Sequence, residues 1–499
     1  MRIATNVSAI VSNNALQKSQ DRLTKSIARL SSGYKINSSS DDAAGYAISE
    51  KMRLQLRGLN QADNNAADGV SVLHTAEGAM EEIQSMLARM KELSVQAANG
   101  TNSVDERSAI QSEIDSLNSE IDRISSNTEF NSQTLISGNL SRRVYSNYEG
   151  VNQIEVSDNF VAGNYGITIT QDARQAIVVG NGAVTMSDTA TVTKEQAGTI
   201  SMNGYGIEIS EGDTLAGIMG KLVDGADKIG GRVFAITAGA TNDTKVNGTD
   251  YAGYEPQTSY AGNNIVFMTK ESGSSKTMNI TCSNAELANM LGIATAATNS
   301  GMYAEGSDVQ AEFTLDNDGK RVGFADSAVI STSGTRVTVK DVNNRTFVTD
   351  VPSNVAGTQF SDTVKADDKS TATSTQTAKV TQEVTDVGTM SVHVGANENQ
   401  VILIDIPAVT SYTLGTENLN VMTSVTASEA IDTIDTAVAY ANRVRSQMGA
   451  YENRFEHTTN NLGTASENLT SAISTMTDTD MAEEMTEYTS LNVMTQAAT

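Results

Sequence analysis

AIDTIDTAVAYANRVRSQMGAYENRFEHTTNNLGTASENLTSAISTM, Ala430–Met476, is the stretch that decides the fold. Ala430, Ile434, Ala437, Ala441, Val444, Met448, Tyr451, Phe455, Thr458, Leu462, Ala465, Leu469, Ala472 and Met476 step through it by four and three in alternation. Only Thr458 among them is clearly polar. Such a rhythm keeps one apolar stripe on one helix face and favours a left-handed supercoil. A helix over this stretch spans roughly 70 Å at ~1.5 Å per residue.

The N-terminal side answers with the same step: Leu59, Ala62, Ala66, Gly69, Leu73, Ala76, Met80, Ile83, Leu87 and Met90. Asp41–Asp42 supplies a cap and first-turn anions for this helix, and Asn99–Gly100 supplies a stop. A shorter helix follows, with Ile110, Ile114, Leu117, Ile121 and Ile124 on one stripe. Ahead of both lies a stripe of Leu16, Leu23, Ile27 and Leu30 that ends at Ser32–Gly33, and the last residues, from about Met481 to Thr499, are again helix-compatible. Ala and Met fill much of the seam, which lets helices approach closely. Two readings of these stripes stay open. They close on each other as a bundle inside one chain, or the outermost ones are completed by neighbouring copies, since long thin helices bury little surface alone.

Only three prolines occur, Pro256, Pro352 and Pro407, so both ends are free of the residue that breaks helix interiors. The middle is a different material. Tyr165–Thr170, Arg336–Val342 and Val401–Ile406 are β-branched and often alternate, as strands do. Asp318–Gly319 and Asn247–Gly248 read as hairpin turns. Gly198–Thr237 reads as two strands, a capped helix and another strand. Ser361–Val387 has no apolar rhythm and reads as a loop or weak exposed strand. The fold class is α+β and multidomain: a helical coiled-coil core formed by both chain ends, with a β-rich middle.

Composition closes several doors. One cysteine makes neither an internal disulfide nor a Cys-based zinc site. His74, His393 and His457 are too far apart in sequence for metal-ligand spacing. A net charge of −26, spread over the whole chain, argues against a nucleic-acid partner and for a solvated surface. No run of about 18 apolar residues offers a membrane span. The N-terminus lacks the apolar core and cleavage site of a secretory signal. No catalytic motif is present. Gly217–Lys221 is too short for a phosphate loop, Asp316–Gly319 is a turn rather than a calcium loop, and Cys282 reads as an inert small apolar residue. No residue is assigned to catalysis, a cofactor or a metal.

The ends resemble a known family. TNVSAI, RLSSGYKINSSSDDAAGYAISEKMR, GLNQADNNAADGVSVLHTAEGAMEEI and MKELSVQAANGT are similar to the N-terminal core of bacterial flagellin. IDTAVAYANRVRSQMGAYENRFEHTTNNLGTASENLTSAIS and DTDMAEEMTEYTSLNVMTQA are similar to its C-terminal core, and GTMSVHVGANENQVILIDI to the strand pair that leads into it. Gly198–Thr237 resembles the small insert repeat of flagellins and of flagellar cap and hook-junction proteins. The resemblance implies an extracellular, secreted structural protein. It would be the subunit of the flagellar filament, exported unfolded by the flagellar type III apparatus and self-assembling into an open helical homopolymer. It implies a division into 1–40 with 460–499 (inner filament-core helices, disordered as monomer), 41–150 with 385–459 (helical bundle with a β-hairpin) and 151–384 (variable outer part). Export chaperone and cap proteins are implied partners. Leu16, Leu23, Ile27, Leu30, Leu462, Leu469 and Met476 are filament-contact candidates. Toll-like receptor 5 is a further implied partner, with Arg89, Leu93 and Glu113 as the matching residues. Rival readings are a hook–filament junction protein and a surface adhesin acting through its middle. Flagellins commonly continue past the QAAT region to a Leu-rich end; an ending at Thr499 would shorten the innermost helix.

Overall fold

A computed structural model describes residues 7–498 apart from 158–159, 181, 238–259, 294–301, 317, 342–344, 354, 357–358, 361–371, 375–376 and 386. Four long helices form where the stripes are read: α1 (Val7–Ser32), α2 (Ala43–Ala98), α3 (Val104–Asn127) and, after the middle, the helix Ser424–Thr477. The middle contributes α4 (Leu215–Lys228), α5 (Ala285–Met290) and α6 (Ser411–Leu414). The helix Ser424–Thr477 is therefore α7, and α8 is Met481–Ala498.

The boundaries have local causes. Asp42 Oδ1 accepts the N–H groups of Ala44 and Gly45 and starts α2. Asp41 accepts those of Asn37 and Ser38 and ties the preceding loop. Ser103 and Glu106 form a reciprocal capping box on α3. Gly33 ends α1 at φ +77°, a conformation that costs glycine little.

The chain divides into two compact units. The first is Met1–Leu73, Ser391–Leu403 and Gly449–Thr499. Here Ala62, Ala66 and Gly69 of α2 are buried, as are Tyr451, Phe455 and Leu462 of α7. Gly69 is a seam residue for a physical reason: a Cβ there would meet the Phe455 ring at 3.0 Å. A hairpin of Met390–His393 and Val401–Ile404 flanks this part, with Asn65 Nδ2 donating to the His393 carbonyl at 2.9 Å.

The second unit is His74–Met390 with Ile404–Met448. Ala76, Met80, Ile83, Leu87 and Met90 of α2 are buried in it, and so are Ala430, Ile434, Ala437, Ala441 and Val444 of α7. Gln84 bonds Asn442 at 2.7 Å beside this seam. On α3, Ile110, Ile114 and Ile121 are buried, while Leu117 and Ile124 are half-buried. Two polar residues share that face: Asn118 donates to the Thr416 carbonyl and Ser125 to the Ile136 carbonyl.

The β-rich part of this unit has two cores. In one, α4 and α5 pack on the strands Gly198–Met202, Tyr205–Ile209 and Thr277–Cys282 and on the three-stranded sheet of Gln175–Val179, Asn263–Ser272 and Gly231–Thr237. The expected order of two strands, a helix capped by Thr214 and a strand is present over Gly198–Thr237. In the other core, two four-stranded antiparallel sheets share one set of buried side chains. Phe160, Tyr165, Phe313, Phe324 and Phe347 gather there in edge-to-face and tilted pairs.

One expectation is overturned. Ala378–Val384 is a paired strand inside the four-stranded sheet, with alternate residues buried, rather than a loop or exposed strand. Its inward position 382 carries a buried Gln, whose Nε2 donates to Thr349 Oγ1 at 3.0 Å, and so breaks the apolar alternation in the sequence. Asp316–Gly319 is a turn, held by Asp316 Oδ1 accepting the N–H groups of Asp318 and Lys320. Asn247–Gly248 lies outside the described residues. Among the described residues no helix is long and apolar enough to cross a membrane.

Candidate functional site: the paired ends of the chain

The two chain ends meet as an antiparallel helix pair in the first unit. Backbone bonds fix the crossing: Lys35 N–H donates to the Thr477 carbonyl at 2.7 Å, and Thr479 N–H to the Gly33 carbonyl at 2.9 Å. From there α8 returns along α1. Arg29 pairs with Glu484 at 3.6 Å and Arg22 with Glu487 at 2.9 Å. Arg29 stands in the last turn of α1 and Glu484 in the first turn of α8, so each charge also suits the helix end that carries it.

The contact between the pair uses little apolar surface. Ser26, Glu484 and Leu491 are buried, whereas Leu16, Leu23 and Leu30 are half-buried. Ile27 is 49% exposed on the flank of its stripe. Val7, Ile10 and Val11 near the start of α1 are exposed, with Val7 and Ile10 turned away from the side that carries Ser26 and Leu23. On α8, Met481, Met485, Val493 and Met494 are all exposed. Together with buried Leu491 they put apolar residues on every side of the helix, interleaved with polar ones such as Glu483, Glu487 and Asn492. On α7, Leu462 is buried in this unit, at 8% exposure, while Leu469 and Met476 are half-buried.

A second cluster lies where α2 and α3 run together. Glu113 Oε1 takes Arg89 Nη2 at 2.9 Å and Nε at 3.0 Å, while Glu92 takes Arg89 Nη1 at 3.2 Å. Hydrogen bonds to Glu113 and then to Glu92 hold the Arg89 guanidinium more firmly protonated than usual. Leu93, one turn on, points inward and is only 2% exposed. Thus the structure joins Arg89 with Glu113 at the surface and sets Leu93 beneath them.

Comparison with known proteins gives this geometry a family. The flagellin of Clostridium tyrobutyricum is 31% identical over 98% of this chain and 95% of its own length. The chain belongs to the bacterial flagellin family. Models of the bacterial flagellin N-terminal and C-terminal helical regions match residues 3–141 and 431–499. Flagellin B of Vibrio anguillarum is 28% identical, and the flagellin of Salmonella typhimurium 29%, each over the whole of this chain and 95% and 96% of its own. The solved structure of FliC from Burkholderia pseudomallei overlays loosely, at 14% identity and TM-score 0.23 over 77% of this chain and 99% of its own, so the family rests on sequence. As a flagellin, the chain is a structural subunit of the flagellar filament, an extracellular assembly that serves motility.

For this flagellin, sequence reading passed over Val7, Ile10, Val11 and the apolar residues of α8. The first three were legible as an i, i+3, i+4 set. Those of α8 form no stripe, so periodicity could not single them out. Glu92, the second carboxylate on Arg89, was an i+3 neighbour open to the same reasoning.

Proposed function

We propose that this flagellin leaves the cell unfolded through the flagellar export apparatus and polymerises head to tail. In this reading the exposed apolar residues of α1 and α8 are covered by other copies of the chain. An open filament needs a heterologous contact whose repeat does not close. The observation that carries the proposal is α8 itself: it bears exposed apolar residues on several sides, and among the described residues it packs mainly on α1. Residues 1–40 and 460–499 then form the inner core and are disordered before assembly. Residues 41–150 and 385–459 form the helical layer outside it, and 151–384 the variable outer part. Export chaperone and cap proteins are the partners that the family suggests.

Leu23→Asp is the test. The monomer is expected to keep its helicity and to give no filaments by electron microscopy. Normal filaments of this variant would overturn the assembly role.

Recognition by Toll-like receptor 5 is proposed through the Arg89–Glu113 surface, with Leu93 acting from below by holding α2 against its neighbours. Because Leu93→Ala would open a cavity at a cost of about 2–5 kcal/mol, the cleaner probe is the pair Arg89→Ala with Glu113→Ala. Unchanged receptor affinity for that pair in a pull-down would count against the surface.

A further inference from the structure

Four Asn–Gly pairs occur in the chain: Asn99–Gly100, Asn181–Gly182, Asn203–Gly204 and Asn247–Gly248. Asn99–Gly100 and Asn203–Gly204 lie wholly within the described residues, and their settings are opposite. Asn99 follows the last residue of α2, and both it and Gly100 are exposed. A Cβ at Gly100 would meet nothing within 4 Å, so the space around its backbone nitrogen is open. The Asn99 carboxamide takes one long bond, from Thr101 N–H to Oδ1 at 3.3 Å, which polarises its carbonyl carbon. Asn203 instead sits in a tight turn at φ +48°. Its carboxamide is held at both ends, Nδ2 donating to the Thr277 carbonyl and Oδ1 accepting from Asn279 N–H, each at 2.7 Å.

We infer that Asn99 is a site of spontaneous modification in the folded chain and that Asn203 is protected from it. The Gly100 backbone nitrogen attacks Cγ of Asn99. The new N–C bond closes a succinimide, the C–Nδ2 bond breaks, and the nitrogen's proton leaves with ammonia. One water then opens the ring at either carbonyl, giving aspartate or isoaspartate. Glycine favours this step because no side chain hinders its nitrogen or restricts the backbone rotation that brings it onto Cγ, and Asn is the thermolabile partner.

The place matters to the fold. Arg107 donates from Nε to the Ala97 carbonyl and from Nη2 to the Asn99 carbonyl, both at 2.9 Å, and so closes the end of α2 onto the start of α3. Isoaspartate adds a backbone atom inside this turn. The new carboxylate also stands at the negative end of the α2 dipole.

Full-length protein, folded in mildly alkaline buffer, is incubated for days and digested. Peptides carrying each pair are then followed by mass spectrometry and by isoaspartate-specific methylation. Conversion at Asn99 is expected to run several-fold faster than at Asn203, and the gap is expected to close when the same chain is incubated in denaturant. Gly100→Ala is expected to slow Asn99 several-fold without loss of helicity. Equal rates at the two sites in the folded chain would overturn the inference. So would an inert Asn99 in a folded chain whose denatured form converts.

Discussion

Glu155 is a carboxylate in a strand, buried, and paired with Arg443 of α7 at 2.7 Å. Burial raises its pKa above the ordinary carboxylate value, against the opposing pull of Arg443 and Lys340. Between the unfolded and the folded pKa the native state therefore holds the extra proton. Through that window this group's contribution to stability falls as pH rises, and above the folded pKa the charged, buried form is a net cost. Glu155→Gln should accordingly be at least as stable as the parent at neutral pH, read as the urea midpoint. Its advantage should shrink as pH falls below both values, where Glu155 is neutral in either state. A variant clearly less stable at neutral pH would show that the pairing with Arg443 outweighs desolvation. This pair was invisible in the sequence, since 288 positions separate its members. Leu93 and Leu462 make a related point: seam spacing assigns a residue to a stripe, yet only packing shows that these two are already buried within one chain.

At the scale of elements, the ends of helices were legible wherever a side chain caps its own backbone. Asp42 and Gly33 were read as signals and act as such. The capping box on α3 went unread, although Ser103 and Glu106 have the required spacing. Ser103→Ala is expected to cost about 0.5–2 kcal/mol, measured by denaturant unfolding of the whole chain. Strand Ala378–Val384 marks the limit of reading by alternation: an inward Gln looks like a polar loop until its partner, Thr349, is known. For α8 the limit is different. Its apolar residues circle the helix among polar ones instead of forming a stripe, so periodicity cannot assign them a face. Met485→Asp should leave the helix content of the monomer unchanged by circular dichroism and block growth onto filament seeds.

For the whole molecule, charge and the exposed ends act against each other. The net charge of −26 sets copies of the chain against each other at low ionic strength, while in the proposed assembly Val7, Ile10, Val11 and the exposed apolar residues of α8 would draw them together. Salt shortens the screening length to roughly 8 Å near physiological strength. Raising ionic strength should therefore speed filament formation, followed by light scattering and electron microscopy. Val11→Asp, which changes an exposed residue, should suppress it with no loss of monomer stability. A salt-insensitive rate would remove repulsion as the barrier.

The sequence by itself determined the helices. Their proline-free, four-three periodic stretches depend on local geometry, so they could be read without knowing any partner, and the long matches at both ends carried the family. The tertiary structure alone decided what faces what. It put Glu484 in the buried seam between α1 and α8, closed Arg89 onto two carboxylates, and gathered Phe160, Tyr165, Phe313, Phe324 and Phe347 into one β core. It left the apolar rim of the terminal helices uncovered. These outcomes depend on contacts between residues far apart in sequence, and such contacts leave no periodic trace along the chain.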